Sequence, residues 1–437
     1  MPTAVLTAEF DRLIRFGATQ YSYYLRIRDD NATLRQLLTG LEADRFVLVT
    51  DRKVPVRHVA RMCAGVAAVA PCTVRAIAPG EQAKTLAGVA ELADAAIRAG
   101  VTRRSVIIGF GGGVAGNVAG LLAALLFRGI RLVHIPTTLL AMSDSVLSLK
   151  QAVNTSAGKN QLGAFHAPQF VWADLGYTKS LPPGEIRSAL CELVKNVLAI
   201  APERYDWAAA RLRPGADYTI WELAGFVEFC VEAKQRVMAD DPYETRRALV
   251  LEYGHTIGHA VELLTPGGLG HGLAVGLGML AAARIAGELG YLTASDQHAH
   301  RILLERAGAA AILPYRIPAK DVIAALHKDN KRGYRRPQPG TVDMILLDGL
   351  GAPHLDGGTC LTHVPCSAAE RAITRLMPPL PARPQVAVAA CGTPQHHLRG
   401  RTRRQTASTA KDQLLEERSR PHDQLPGQAR LAGAATP

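Results

Sequence analysis

Between Leu249 and Leu264 the chain reads LVLEYGHTIGHAVELL. His255 and His259 stand four residues apart there, and a helix brings such a pair onto one face. Both imidazoles can then address one point, as in a metal site. The plainer alternative is two histidines at a helix start beside the core. The zinc-protease pattern H-E-x-x-H shares the spacing but carries its acid between the histidines. Here Thr256, Ile257 and Gly258 fill that gap, so a zinc-protease reading is excluded. Glu252, three residues before His255, adds a carboxylate nearby.

A second stretch, GGGVAG (Gly111–Gly116), fits G-x-G-x-x-G between an apolar SVIIGF and a helix-like VAGNVAGLLAALLF. Glycines at such a turn let backbone N–H groups approach a pyrophosphate at a helix N-terminus. The ribose-binding acid expected about 20 residues later is missing, since that region reads HIPTT. Asp51, closing RFVLVTD, and Glu81 in GEQAK are substitutes. The motif is therefore either no dinucleotide site or one of a non-Rossmann type.

Elements must hold these groups in place. RFVLVTD (Arg45–Asp51), CTVRAIA (Cys72–Ala78), SVIIGF and RLVHIP (Arg131–Pro136) read as buried strands. KTLAGVAELADAAIRAG (Lys84–Gly100) and VAGNVAGLLAALLF separate them with helical periodicity. Strand–helix alternation predicts an α/β unit with a mainly parallel nucleotide-binding sheet. After the Pro182-Pro183 pair the apolar spacing turns helical, from Gly184 to about Glu305. The expected division is an α/β domain over 1–181, an all-helical domain over 182–379 and a tail over 380–437. The site belongs in the cleft between the first two.

With 437 residues, 48% hydrophobic and 20% charged, the chain is long and apolar enough to bury a core. Seven cysteines without a C-x-x-C pair favour reduced thiols and a cytoplasmic location. The N-terminus has early acids and no long apolar run, unlike a signal peptide. Ser105–Phe127 is free of charge for 23 residues, long enough to span a membrane. Its glycines and Asn117 point instead to a strand, a turn and a buried helix. Net charge is +12, but the region from Pro381 onward holds +5 of it in a Pro-, Gln-, Ala- and Thr-rich context. That region reads as a disordered basic tail, dispensable for activity, and not as a nucleic-acid surface.

The motifs GGGVAGN, RGIRLVHIPTTLLAMSDS, GKNQLGAF, LPPGEIRSALCELVKN and GHTIGHA…HG occur in one order. Together they resemble the sugar-phosphate cyclases of the dehydroquinate synthase type, from about Asp51 to Pro365. The resemblance implies an NAD-binding domain, a helical metal-binding domain and a homodimer. It implies a divalent metal, zinc or cobalt, on Glu192, His255 and His271, with His259 moving protons. It implies NAD contacts from Asp51, Glu81, Gln82, Ala83, Lys84, Gly113, Val114, Ala115, Gly116, Asn117, Thr137 and Thr138. Ser148, Leu149, Lys150, Lys159 and Asn160 complete that set. Asn117 stands where dehydroquinate synthases carry Asp. Asp144, Lys150 and Lys195 fall at active-site positions. Arg128, reaching from the other subunit, Lys159, Asn160 and Lys331 fall at phosphate positions.

Two departures bear on the substrate. Dehydroquinate synthases carry an arginine seven residues before the first metal histidine, where this chain has Ala248, and an asparagine where it has Glu252. Arg247 is adjacent but one step round a helix. A pocket that loses a cation and gains an anion repels a substrate carboxylate, so a polyhydroxy sugar phosphate is expected. SVLSLKQAVN (Ser145–Asn154), read as a strand, also departs from the dehydroquinate synthase pattern. With DPYETRRALVLEYGHT and HKDNKRGY it resembles the branch that turns D-glucose 6-phosphate into 2-deoxy-scyllo-inosose. Sedoheptulose 7-phosphate cyclases are the nearest alternative, and an iron-type alcohol dehydrogenase a remote one. Glu252, Lys150, His259, Asp144 and Lys195 are the expected catalytic groups.

Overall fold

The apolar runs FVLVTD, VIIGFG and RLVHIP form the centre of a seven-stranded sheet in a computed structural model of the chain. The structure describes residues 9–379 except 29, 157, 266–268, 330 and 332. The expected disordered tail lies outside the described residues. The first half runs β1 (Phe10–Phe16), β2 (Thr19–Arg26), α1 (Asn31–Gly40), β3 (Phe46–Asp51), α2 (Val56–Ala67), β4 (Cys72–Ile77), α3 (Leu86–Arg98), β5 (Val106–Gly111), α4 (Gly113–Leu125), β6 (Arg131–Pro136), β7 (Lys150–Thr155), β8 (Gly158–Phe165) and β9 (Phe170–Asp174). The sheet order is β1-β2-β9-β6-β5-β3-β4. All neighbours are parallel except the β1–β2 hairpin at the edge. That hairpin was not expected from the sequence. β7 and β8 pair as a separate antiparallel hairpin.

Alternation along the strands divides the sheet's two faces. Val47, Val49 and Ile107 pack with Val118 and Leu122 of α4 and Val89 of α3. Phe46, Leu48, Ile108 and Phe110 join a larger core that continues into the helices of the second half. The apolar stretch Ser105–Phe127 resolves into β5, the turn and α4, as its glycines imply. No helix among the described residues is long and apolar enough to cross a membrane.

The second half runs α5 (Pro183–Ala199), α6 (Tyr205–Arg211), α7 (Ile220–Met238), α8 (His255–Leu264), α9 (His271–Glu288), α10 (Ala294–Arg306), α11 (Ala319–Leu326), β10 (Thr341–Ile345), β11 (Leu347–Gly349), β12 (Ala352–Pro353), β13 (Leu361–Pro365) and α12 (Cys366–Thr374). It is mainly helical, with two small antiparallel pairs, β10–β13 and β11–β12, where an all-helical unit was expected. α5 opens on Pro183, whose missing N–H costs nothing in a first turn. α7 opens on a capping box of Thr219 and Glu222.

α9 is buried along most of its length against α5, α8, α10 and α12. Its approach to α8 depends on missing side chains. A Cβ on Gly278 would stand 1.9 Å from the Gly254 carbonyl oxygen. Gly254 itself has φ +79° and ends the preceding turn so that α8 can begin at His255. Gly278→Ala is therefore expected to lower stability by about 1–3 kcal/mol through overpacking and to loosen metal retention. Gly184→Ala, where a Cβ meets nothing within 4 Å, should not destabilise. Thermal melts with metal analysis of the folded protein check this. A Gly278→Ala melt at the wild-type temperature would contradict the close α8–α9 contact.

Candidate active site

α5, α8 and α9 converge on one carboxylate. Glu192 lies mid-α5 with no exposure to solvent. Its Oε1 lies 3.5 Å from Nε2 of His255 and 3.4 Å from Nε2 of His271, the first residues of α8 and α9. Oε1 has no hydrogen-bond partner. Its Oε2 lies 2.5 Å from Lys195 Nζ, one turn on along α5.

Two donors each about 2.0–2.1 Å from one zinc ion stand about 3.3–3.4 Å apart at the tetrahedral angle. The spacing around Oε1 therefore fits a shared divalent cation. Outer contacts orient both rings as metal ligands require. His255 Nδ1 faces the Tyr253 carbonyl at 3.2 Å, and His271 Nδ1 faces Glu262 Oε2 at 3.2 Å. Each ring thus turns Nε2 inward. One acid and two imidazoles suit zinc or cobalt and leave a position open to a substrate oxygen. The ligand atoms of His255, His259 and His271 also lie within 4.8 Å of one another. By distance alone His259 could be a ligand. Its Nδ1 faces Asp329 Oδ2 at 3.8 Å, and the unpartnered Glu192 Oε1 with His255 and His271 already makes a three-donor set.

Burial opposes charge on Glu192, but Lys195, His255 and His271 outweigh it and hold the carboxyl well below the usual range. Burial drives His255 down to about 3, so this ring is neutral at pH 7. Burial also works against a charge on His271, yet Glu192 and Glu262 reverse the shift and raise it to about 10. Facing both carboxylates, His271 takes up a proton more readily than a free imidazole.

Around this centre each lysine meets an acid. Lys331 Nζ, 3% exposed, lies 2.7 Å from Asp329 and 3.2 Å from Glu252. Burial opposes charge on Glu252, but Lys331, His255, Lys150 and His259 keep it ionised. Asp329 falls to about 2 despite burial, mainly through Lys331 and then His259. Lys150 lies 2.7 Å from Glu244, Lys159 2.7 Å from Glu262, and Asp144 3.0 Å from Lys234. Glu244, Lys234, Glu262 and Asp329 were missed in the sequence. Glu262 carried a signal, since it follows His255 by seven and His259 by three on one helical face. Asp329 sits in HKDNK beside Lys331. Glu244 and Lys234 become visible only through their contacts.

Glu252 lies in a 3-10 turn (Arg247–Glu252), not on α8. Ala248 is buried in that turn, its N–H donating to Asp241, while Arg247 is exposed. Ser145–Asn154 is a strand only from Lys150. Asp144 and Ser145 close a π-turn (Ala141–Ser145), and Ser148 follows in an irregular stretch.

The nucleotide groups gather at the carboxyl ends of β3 and β5, where strand connections part in opposite directions, the usual binding crevice of an open parallel sheet. Asp51 ends β3 and Gly111 ends β5. A Cβ on Gly111 would stand 2.7 Å from the Ala115 side chain and 3.2 Å from Asp51 Oδ2. α4 begins at Gly113 with no side-chain cap, leaving its first N–H groups for an anion. Thr137 and Thr138 follow β6 beside it; Thr137 N–H donates to the Gly111 carbonyl. These features fit a dinucleotide. Glu81, Gln82 and Ala83 form a 3-10 turn ending at Lys84, whose Nζ lies 2.5 Å from Asn160 Oδ1.

Two side chains expected to touch NAD have other contacts. Asn117 donates to the Gly113 carbonyl and accepts from the Ala152 N–H, tying α4 to β7. The Leu149 side chain is in the core and its carbonyl accepts from His166. Ala115 has a buried side chain, but its N–H is among those the first turn of α4 leaves free. Arg128 is exposed at the far end of α4, about 20 Å by helical rise from the glycine turn. The single chain does not bring it to the site.

Residues 74–188 match the 3-dehydroquinate synthase N-terminal model and residues 189–332 the C-terminal one. A 2-deoxy-scyllo-inosose synthase of Streptoalloteichus tenebrarius is 44% identical over 83% of this chain and 94% of its own length. The crystal structure of a 2-deoxy-scyllo-inosose synthase complexed with carbaglucose-6-phosphate, NAD+ and Co2+ superposes with a TM-score of 0.78. It is 37% identical over 83% of this chain and 99% of that one. A 2-epi-5-epi-valiolone synthase from Streptomyces hygroscopicus, with NAD+ and Zn2+ bound, is 25% identical at a TM-score of 0.68, covering 84% and 99%.

Metal should displace the proton held on His271, since His255 is already neutral and Glu192 already ionised. Calorimetric titration of Zn2+ into metal-free protein near pH 7.5, in two buffers of different ionisation enthalpy, is expected to report about one proton released per metal. Release near zero would contradict the Glu192–His271–Glu262 arrangement.

Proposed function

The chain belongs to the 3-dehydroquinate synthase family and, within it, to the 2-deoxy-scyllo-inosose synthases, and from this we propose that it converts D-glucose 6-phosphate to 2-deoxy-scyllo-inosose and phosphate. The observation that carries the substrate is Glu252, an ionised carboxylate beside Lys331 where dehydroquinate synthases hold a substrate carboxylate. Ala248 supplies no cation in compensation. With Lys331 already matched by Glu252 and Asp329, the pocket suits a sugar hydroxyl better than a further carboxylate.

The groups bound at the two sites supply reversible hydride transfer at C4 and polarisation of the C4 oxygen. The chain supplies the rest. Glu192, His255 and His271 hold the metal, and the crevice from Asp51 through Gly113 to Thr138 holds the nucleotide. Lys159, Asn160 and Lys331 bind the phosphate, joined by Arg128 of a second copy in a homodimer. With C4 as a ketone, the C5 proton is acidic and phosphate leaves C6 by elimination. C4 is then reduced again, so no net oxidation occurs. Ring opening and attack of the new enol carbon on the C1 aldehyde close the carbocycle.

Glu252 and Lys150 meet the hydroxyls peculiar to this sugar, Glu252 acting as acceptor or base. His259, backed by Asp329, moves protons. Lys195 and Asp144 complete the polar wall around C4. The product is the first carbocycle of the 2-deoxystreptamine aminoglycosides, and the scattered cysteines suit a reducing cytoplasm.

Incubation with NAD+, Co2+ and glucose 6-phosphate is expected to release phosphate without NADH build-up and to yield a product of the carbocycle's mass. Phosphate released only from sedoheptulose 7-phosphate or the dehydroquinate precursor would overturn the substrate. Lasting NADH would indicate a dehydrogenase. Glu252→Gln should keep metal content and melting temperature but lose about 10²–10⁴-fold in turnover. Near-wild-type turnover would remove Glu252 from the mechanism.

A further inference from the structure

Glu262 divides its two oxygens between the two halves of the reaction. Its Oε2 lies 3.2 Å from His271 Nδ1, and its Oε1 lies 2.7 Å from Lys159 Nζ. Glu262 lies on α8, His271 opens α9, and Lys159 sits on β8 of the hairpin. Lys159 lies in turn 3.8 Å from Glu81, in the turn that flanks the nucleotide crevice. The side chains of Glu262 and Lys159 are only 12% and 14% exposed, so this is not a solvated surface pair.

We propose that Glu262 is a positioning residue that orients His271 for the metal and places Lys159 for the substrate phosphate, so that one carboxylate ties the metal centre to the phosphate site. The inference rests on the metal and phosphate roles given above. The physical argument has two parts. A carboxylate accepting from Nδ1–H fixes the imidazole tautomer, turns Nε2 toward Glu192 and raises the ring's basicity as a ligand. The other oxygen fixes a lysine that would otherwise sample many rotamers. A neutral amide keeps the shape of Glu262 but loses both charge-assisted contacts.

The two partners make opposite demands on the metal, which separates positioning from general stabilisation. Removing the carboxylate charge should weaken the metal. Removing the lysine charge should not, because it takes a cation away from the neighbourhood and leaves Glu262 wholly to His271.

Co2+ titration of metal-free, NAD-loaded protein, followed by its visible absorption, tests this without turnover. Glu262→Gln is expected to bind Co2+ about 10–100-fold more weakly with an altered spectrum, while Lys159→Met binds it no more weakly than wild type. Both variants should raise KM for glucose 6-phosphate. Glu262→Asp, which keeps the charge on a shorter arm, should fall between Glu262→Gln and wild type, and serves if the amide variant does not fold. Co2+ affinity and spectrum unchanged in Glu262→Gln, with His271→Ala strongly impaired, would overturn the inference while leaving the metal assignment intact. Unchanged Co2+ binding in His271→Ala would instead overturn the ligand set itself, and the inference with it.

Discussion

An ionised carboxylate shut away from water persists only where cations converge on it, and Glu192 imposes that condition on three helices. α5 answers it with Lys195 and α9 with His271, while α8 adds the uncharged His255 ring beside them. The compensation is incomplete within the protein, since Oε1 keeps no hydrogen bond. That deficit is what a divalent cation removes. The same demand explains why α8 and α9 approach so closely at Gly254 and Gly278. A side chain there would part the two imidazoles that Glu192 needs.

Beyond this centre, the polar groups follow one rule of alternating sign. Lys331 stands between Asp329 and Glu252, and Lys159 between Glu262 and Glu81. Lys150 meets Glu244, and Asp144 meets Lys234. Each lysine is thus held in a fixed place before substrate arrives. A phosphate can exchange for a carboxylate at low reorganisation cost, which is the value of prearranged charge in catalysis. Glu252 belongs to this lattice through Lys331.

The nucleotide crevice and the metal centre are joined by the β7–β8 hairpin. Asn154 bonds to Glu81, Asn160 to Lys84, and the Ala152 N–H to Asn117. An aspartate at 117 could accept from Ala152 but not donate to the Gly113 carbonyl. The asparagine here therefore braces its own helix with one end of its amide and holds the hairpin with the other. The hairpin carries Lys150, Lys159 and Asn160, so its position decides where these three polar side chains stand relative to Glu192.

Local signals were enough for much of this. Alternating apolar runs and glycine stops gave the parallel strands and α4, because buried strands and a tight phosphate-binding turn leave few residue choices. The i, i+4 spacing of His255 and His259 placed both on α8, because helical geometry is local. The β1–β2 hairpin is less legible, because polar and apolar residues mix along both strands and no long apolar run marks either. Ser145–Leu149 was read as strand, yet the chain there turns to deliver Asp144 and Ser148. Contacts between residues far apart in sequence lay beyond the sequence. Glu192 lies 79 residues before His271, Lys331 lies 79 after Glu252, and Lys150 lies 94 before Glu244. The sequence determined which chemical groups the chain owns and which secondary elements carry them. Only the tertiary structure decided which acid neutralises which lysine, because that pairing depends on helices closing over a common buried charge rather than on any local spacing.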